Sequence, residues 1–454
     1  MNKIILKKHL FFIVYLLIGT QFSYAQKGEA YDMTVDGVKV IVQPSGNDIV
    51  EIQTIIKGGV QNYLPNKAGI ESLAFTALTE CGTTKDDKNS FKNKLDKVSA
   101  EVGGNTGMDF ASFRMNCIKS DFDVVWPLYV DALATPRFDE KEFDRIKQDA
   151  INSLRAQESQ PDYAISQYAK RVAFAGKDYA KNPEGTEETV KGLTADETKA
   201  YYKSLLTKSR MVIVVVADLD RSMLEKNIGA MLAAIPSGKS FQLKKVSYTP
   251  TQNTFVSEKK DFATNYIQAV TGGPLPGTPE YNSFVLAMRI FSMRDIIEVR
   301  TKNGLSYAPY AYFDGGVSPT SNIVVSTTNP NKYVGVVQSL ITETKKEGFT
   351  TEELKNMKTT YVTRFYYSQE TNNAQAGSFA ANEVLHNNWH RALTLNDDLK
   401  KVTVDDINNV FKKYISNLTW VYQGNPEQAD ASLFTGAKST QKLPPSKVDS
   451  KIKN

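Results

Sequence analysis

Three places in this chain carry residue types and spacings that could do chemistry. The first is Glu383-x-x-His386-x-x-x-His390. Two imidazoles at helical i, i+4 spacing face the same way and can grip a metal ion. No third ligand is evident beside them, and Asn387, Asn388 and Trp389 around them read as turn and packing. The second is Arg300-Thr301-Lys302-Asn303-Gly304-Leu305-Ser306-Tyr307. A guanidinium fork and a phenol can both donate hydrogen bonds to negative charge developing on an oxygen. Taken alone, the same two residues also describe a surface arginine and a strand tyrosine. The third is the stretch Lys67 to Thr83, which places Ser72 and Thr76 four apart on one face of an expected helix, flanked by Glu71 and Glu80. Hydroxyls hold their protons too firmly to be good zinc ligands at neutral pH, where zinc takes thiolate, imidazole or carboxylate. Two carboxylates without histidine read as solvated surface.

Other mechanisms have little to work with. There is no Gly-x-Ser-x-Gly elbow, phosphate-binding loop or dinucleotide fingerprint. His386 and His390 are the only histidines after residue 25, which starves a Ser-His-Asp or Cys-His mechanism. Cys81 and Cys117 are the only cysteines, with no Cys-x-x-Cys, so they are one potential disulfide or two buried thiols.

The elements that must position these residues come in two rounds. Strands are expected at Val38–Val42 and Glu51–Ile56, helices at Gly69–Leu78 and Ser90–Val98, and a strand near Phe110–Asn116. Helices then open at Phe138-Asp139-Glu140 and Leu193-Thr194-Ala195, and an apolar strand, Met211–Val216, closes the round. The second round repeats the first: strand Tyr266–Val270, helix Tyr281–Ile297, strands Ser306–Phe313 and Asn322–Thr327, helix starts at Phe349 and Val402, closing strand Leu418–Tyr422. The two helix starts lie 55 residues apart in the first round and 53 in the second. This reads as an internal duplication of an α+β unit, an antiparallel sheet with helices on one side. The expected layout is a first unit over 26–235, a linker over 236–253 rich in turn residues, a second unit over 254–438, and a loose tail over 439–454.

The first 25 residues read as a cleaved signal peptide: Lys3, Lys7 and Lys8, an apolar run from Leu10 to Gly19, then Ser23-Tyr24-Ala25. An exported, periplasmic protein is the expectation. Loss of those three lysines leaves 52 basic against 50 acidic residues, a balance that argues against a nucleic-acid binder. No later apolar run is long enough to span a bilayer.

The frame Gly69-Ile70-Glu71-Ser72-Leu73-Ala74-Phe75-Thr76, followed by Gly82-Thr83, resembles the zinc helix of the pitrilysin/insulinase metallopeptidases. Ser72, Phe75 and Thr76 stand where that family has the residues of His-x-x-Glu-His. The segment matching its distal glutamate, Asp149-Ala150-Ile151-Asn152-Ser153-Leu154-Arg155, holds no glutamate. Arg300 and Tyr307, with Gly304-Leu305 between them, resemble the family's arginine–tyrosine element. The resemblance covers nearly the whole chain after residue 25 and points to the two-chain branch related to the mitochondrial processing peptidase. It implies two similar α+β domains and no cofactor in this chain. It also implies a zinc-bearing homologous partner subunit, to which Arg300 and Tyr307 would be supplied in trans to hold an unfolded peptide and steady its oxyanion. A family glycine-rich loop is not obvious, although Gly272, Gly273, Gly277, Gly315 and Gly316 lie in suggestive places. The other reading is a peptide-binding or structural scaffold with no peptidase in its assembly.

Overall fold

A computed structural model describes residues 28–436. The signal-peptide expectation and the tail over 439–454 lie outside the described residues. The first sheet comprises β1 (Tyr31–Val35), β2 (Val38–Gln43), β3 (Ile49–Lys57), β4 (Glu101–Thr106), β5 (Phe110–Ile118) and β6 (Met211–Val216), in the order β1-β2-β6-β3-β5-β4. The second comprises β7 (Thr254–Lys259), β8 (Asn265–Gly272), β9 (Tyr310–Asp314), β10 (Thr320–Thr327) and β11 (Thr419–Gly424), in the order β7-β11-β8-β10-β9.

Apart from the extra edge strand β1, the two sheets have one topology. β2 and β6 pair parallel, as do β7 and β11, and every other pairing is antiparallel. The duplication expected from the spacing of helix starts is therefore present in the strand order.

Helices of the first half are α1 (Ile70–Glu80), α2 (Lys88–Asp96), α3 (Phe122–Ala134), α4 (Glu140–Glu158), α5 (Pro161–Ala173), α6 (Glu187–Lys191), α7 (Ala195–Leu205) and α8 (Arg221–Ala233). The second half has α9 (Glu280–Asp295), a π-helical segment (Ile296–Lys302), α10 (Pro330–Glu347), α11 (Thr351–Tyr367), α12 (Asn372–His386), α13 (Arg391–Lys401), α14 (Val404–Tyr414) and α15 (Ala431–Thr435). The four repeated helix starts are fixed by side-chain caps. Asp139 and Thr194 accept the N3 amides of α4 and α7, while Thr350 and Thr403 form capping boxes at α11 and α14.

Two expectations are corrected at the arginine–tyrosine element. The expected helix Tyr281–Ile297 ends as α-helix at Asp295 and continues as π-helix to Lys302. The expected strand Ser306–Phe313 begins only at Tyr310. Pro309 has no amide hydrogen to give to a ladder, so pairing starts after it.

The central strands of each sheet are covered on both faces. Met211, Ile213 and Val215 of β6 join the first-half core, while Val212, Val214 and Val216 pack on Ala376, Phe379, Ala380 and Val384 of α12. That is why β6 reads as an unbroken β-branched run rather than an alternating one. The second half receives a helix in return: Ile165 and Ala169 of α5 pack on Val421 of β11. Each half thus lends one helix to the far face of the other's sheet.

Polar latches fix this exchange. Asn372, at the start of α12, donates through Nδ2 to Ile49 O (2.7 Å) and Val216 O (3.2 Å) at the end of the first sheet. Lys39 Nζ meets Glu383 Oε1 of α12 at 2.6 Å. Buried Asp109 accepts from Tyr179 Oη at 2.5 Å and from the Val317 amide at 3.1 Å. Gly315 and Gly316 let that second-half loop approach, since a Cβ on Gly315 would lie 1.9 Å from Tyr281 Oη and one on Gly316 2.8 Å from Asp109 Oδ2.

Candidate functional site

α1 carries two stripes. Leu73, Ala74, Ala77 and Leu78 are buried in the first-half core. Ser72, Thr76 and Glu80, spaced one turn apart, face a groove of about 480 Å³ whose other wall is α4, through Arg145, Asp149, Ser153 and Gln157. The segment 149–155 that would hold a distal glutamate does stand opposite Ser72 and Thr76.

The groove's donors do not fit zinc. The Thr76 hydroxyl is spent on the Ser72 carbonyl, one turn back, at 2.9 Å. Phe75 does not face the groove at all. It is 1 % exposed, meets the Tyr202 ring edge-on at 6.0 Å, and lies beneath Gly104 of β4, where a Cβ would come within 2.8 Å of it. A guanidinium supplies the positive charge instead. Arg145 Nε meets Glu142 at 2.8 Å, Nη1 meets Asp149 at 2.9 Å and Nη2 meets Glu80 at 2.6 Å. Lys88 and Lys92 add to this network around Glu80; burial pushes its carboxyl up, but Lys92 and Arg145 together outweigh it and hold the carboxyl below the usual range.

Glu71 and Glu80 are not the solvated surface that the sequence suggested. Glu80 is held half-buried in the network above. Glu71 is 1 % exposed, accepting from Tyr201 Oη at 2.5 Å and Asn62 Nδ2 at 3.0 Å, and its Oε1 has no partner among the described residues. Asn62 is tied in turn to Arg210 Nη1 at 2.7 Å, and Arg210 stacks over Phe241 at 3.7 Å. The signal was available in the sequence: Glu71 falls on the same helical face as Ala74 and Leu78.

Burial pushes the Glu71 carboxyl up to about 7, against the lowering pull of Asn62, Tyr201 and Arg210. The ordinary carboxyl releases its proton near 4.5, so between 4.5 and about 7 the folded state holds the proton more tightly than the unfolded chain. This stabilisation is full below 4.5 and is lost as pH rises through about 7, an effect of at most about 3 kcal/mol. Glu71→Gln, neutral at every pH, is expected to flatten the fall in urea midpoint between pH 5 and pH 8. An identical slope in both proteins would show that Glu71 folds in ionised form.

Arg300 lies in the last turn of the π-helical segment and Tyr307 follows in the loop before β9. Both are exposed, Tyr307 at 80 %, and the guanidinium lies 4.3 Å from the phenol ring. Among the described residues, no carboxylate pairs with Arg300 and no hydrogen bond reaches the Tyr307 hydroxyl. The structure brings these two together but not to the groove, whose lining lies wholly between Ser72 and Glu184. Asp295, at the junction that starts the π-helix, went unnoticed in the sequence. It is fully buried, neither oxygen has a partner among the described residues, and burial pushes its carboxyl up to about 7.

The two histidines do not share a helix face. α12 ends at His386, Asn387 takes a left-handed conformation, and His390 precedes α13. His386 Nδ1 accepts the Gly277 amide at 2.9 Å, and burial, aided by Arg391 and Lys245, lowers its pKa to about 4. His390 stacks on Trp389 at 3.7 Å. Of the other glycines singled out, Gly272 ends β8 against the Tyr248 carbonyl, and Gly273 lies under Phe313. Cys81 and Cys117 are both free and buried, their thiols pushed up to about 12 chiefly by burial. No helix among the described residues is long and apolar enough to cross a membrane.

β4 flanks α1. It is the outer strand of the first sheet, paired only with β5. Three of its six residues are exposed and three partly buried, and the side of its backbone away from β5 pairs with no strand among the described residues.

Comparison with known proteins fits this picture. The family described as "Peptidase M16 inactive domain" matches residues 192–361. A relative from Helicobacter pylori described as "Non-peptidase homolog YmxG" is 22% identical over 456 residues, covering 92% of this chain and 99% of the relative. A peptidase M16 inactive domain from Pseudomonas fluorescens superposes with a TM-score of 0.79 at 19% identity, covering 87% of this chain and 98% of that one. A protease from Helicobacter pylori superposes at 0.78 and 15% identity, covering 87% and 100%.

Proposed function

We propose, from the premise that this chain is an inactive member of the pitrilysin (M16) peptidase family, that it binds extended peptides and works as the non-catalytic subunit of a zinc-bearing homologue. The observation that carries this reading is the pairing of a disabled groove with a free donor set. Phe75 is locked in the core and Arg145 neutralises the groove, whereas Arg300 and Tyr307 stand exposed with no partner among the described residues. A long cationic side chain and a phenol held at the surface cost the fold little and leave both free to serve another chain. β4 offers the peptide a backbone ladder beside α1. Arg300 and Tyr307 would donate to the oxygen that gains charge when the partner attacks the peptide carbonyl. Export to a periplasmic space, with the first and second halves acting as separate domains over 26–235 and 254–438, belongs to the same proposal.

Co-expression with a homologue carrying His-x-x-Glu-His tests it. The two chains are expected to co-purify, with zinc in the partner. Arg300→Ala combined with Tyr307→Phe is expected to lower kcat for peptide turnover by about 10²–10³, the effect of losing oxyanion donors, while leaving the complex intact. Unchanged turnover in the double variant removes the catalytic role. Peptide binding by the chain alone, with no complex formed, favours the scaffold reading.

A further inference from the structure

A second cavity lies away from the groove beside α1. It has a volume of about 820 Å³ and lies between the halves, under the loop that joins α5 to α6. That size lies within the range of sites for small ligands. α5 presents Tyr163, Gln167 and Arg171, one turn apart, to this space, while Ile165 and Ala169 on its other face pack on the second sheet. The second half closes the cavity with Lys260 and Gln423.

Four cations line it, Arg171, Lys177, Lys181 and Lys260, against two carboxylates, Glu158 and Asp178. Two of the four are already committed. Lys181 Nζ is held by Asp178 at 2.8 Å and by the Tyr63 carbonyl, and Lys260 meets Glu258 at 3.1 Å. Arg171 and Lys177 have no carboxylate partner among the described residues. Gln423 is 1 % exposed. Its Nε2 donates to Glu258 Oε2 at 2.6 Å, which fixes which way the amide points, and among the described residues nothing donates to its Oε1. Among the described residues the wall therefore has two cations without a carboxylate partner, of which Arg171 lies over the Tyr168 ring at 5.7 Å, and one acceptor without a donor, set among the apolar surfaces of Pro65, Ala68, Ala164 and Ala175.

We propose that this cavity holds the carboxylate end of a bound peptide. A chain terminus brings the matching groups in one piece: a carboxylate for Arg171 and Lys177, a backbone N–H as the donor that Gln423 lacks, and an apolar side chain for the rest. Charge-assisted hydrogen bonds to a carboxylate are among the stronger polar contacts. The inference rests on the peptide-binding reading above and adds that the chain recognises an end, not only an extended backbone.

Fluorescence anisotropy with the full chain tests it, using one pool of short, N-terminally labelled peptides prepared both as free acids and as C-terminal amides. Amidation is expected to weaken binding about tenfold, the loss of one charge-assisted contact. Arg171→Gln with Lys177→Gln is expected to bring the free-acid pool down to the affinity of the amides without changing the amides themselves. Both positions are exposed, so an unchanged urea midpoint confirms that the fold persists. If both pools bind equally well to the unaltered protein, the end-recognition site is overturned while peptide binding stands. If neither pool binds, both readings fall. Displacement of the free-acid pool by inorganic phosphate as readily as by unlabelled peptide would reduce the cavity to a generic anion site and overturn the proposal.

Discussion

Phe75→Glu, the change that would put a general base back at its place in the frame, is expected to unfold the first half rather than to repair it. Phe75 is enclosed by Tyr202 and Gly104, so truncation to alanine alone is expected to cost about 3–5 kcal/mol. A glutamate would add the cost of a buried, unpaired carboxylate, several kcal/mol more. Against a typical total stability of about 5–15 kcal/mol, that leaves little or no folded protein. Ser72→His with Thr76→His provides the contrast. Those positions face the half-open groove, so the pair is expected to change stability by less than about 1 kcal/mol and to yield no peptidase activity. Urea denaturation followed by circular dichroism distinguishes these outcomes. A Phe75→Glu protein with a near-normal midpoint would mean that this side chain can swing out into the groove.

Asn372→Leu is the second large expected effect. This one side chain satisfies the Ile49 and Val216 carbonyls and also accepts from Ser45 Oγ (3.3 Å) and Asn47 Nδ2 (3.1 Å). Leucine would leave buried carbonyls without donors, each costing about 1–3 kcal/mol, so a total loss of about 2–4 kcal/mol is expected. Because the contact joins the start of α12 to the first sheet, the loss should fall on the seam between the halves. Hydrogen exchange is expected to show faster amides in α12 and β6, with the core around α10 and α14 unchanged. Uniform acceleration across both halves would show that the chain unfolds as one unit and that Asn372 is no latch.

Much of the architecture is legible in the sequence because it is encoded locally. Asp139, Thr194, Thr350 and Thr403 mark helix starts through caps that reach only three residues ahead. The β-branched run of β6 announces a doubly covered strand. The absence of histidine at Ser72 and Thr76, and of glutamate at Phe75 and in the 149–155 segment, needs no coordinates. The miss at Tyr307 was also local: Pro309 could have warned that the strand starts later.

The facts that decide the site are different in kind. Glu71 is buried where Asn62, Tyr201 and Arg210 converge on it, Tyr201 from 130 residues along the chain and Arg210 from further still. Helical periodicity offers it a place near the apolar face but cannot say what lies opposite. The Arg145 network and the cavity that joins Arg171 to Gln423 likewise depend on how separate elements meet. The sequence by itself determined a duplicated α+β fold and a frame without the His-x-x-Glu-His residues at Ser72, Phe75 and Thr76, since propensity, capping and residue identity are properties of short segments. Only the tertiary structure decided that Phe75 seals the core, that a guanidinium occupies the groove, and that each half covers the other's sheet, since these follow from packing between segments that sequence spacing does not bring together.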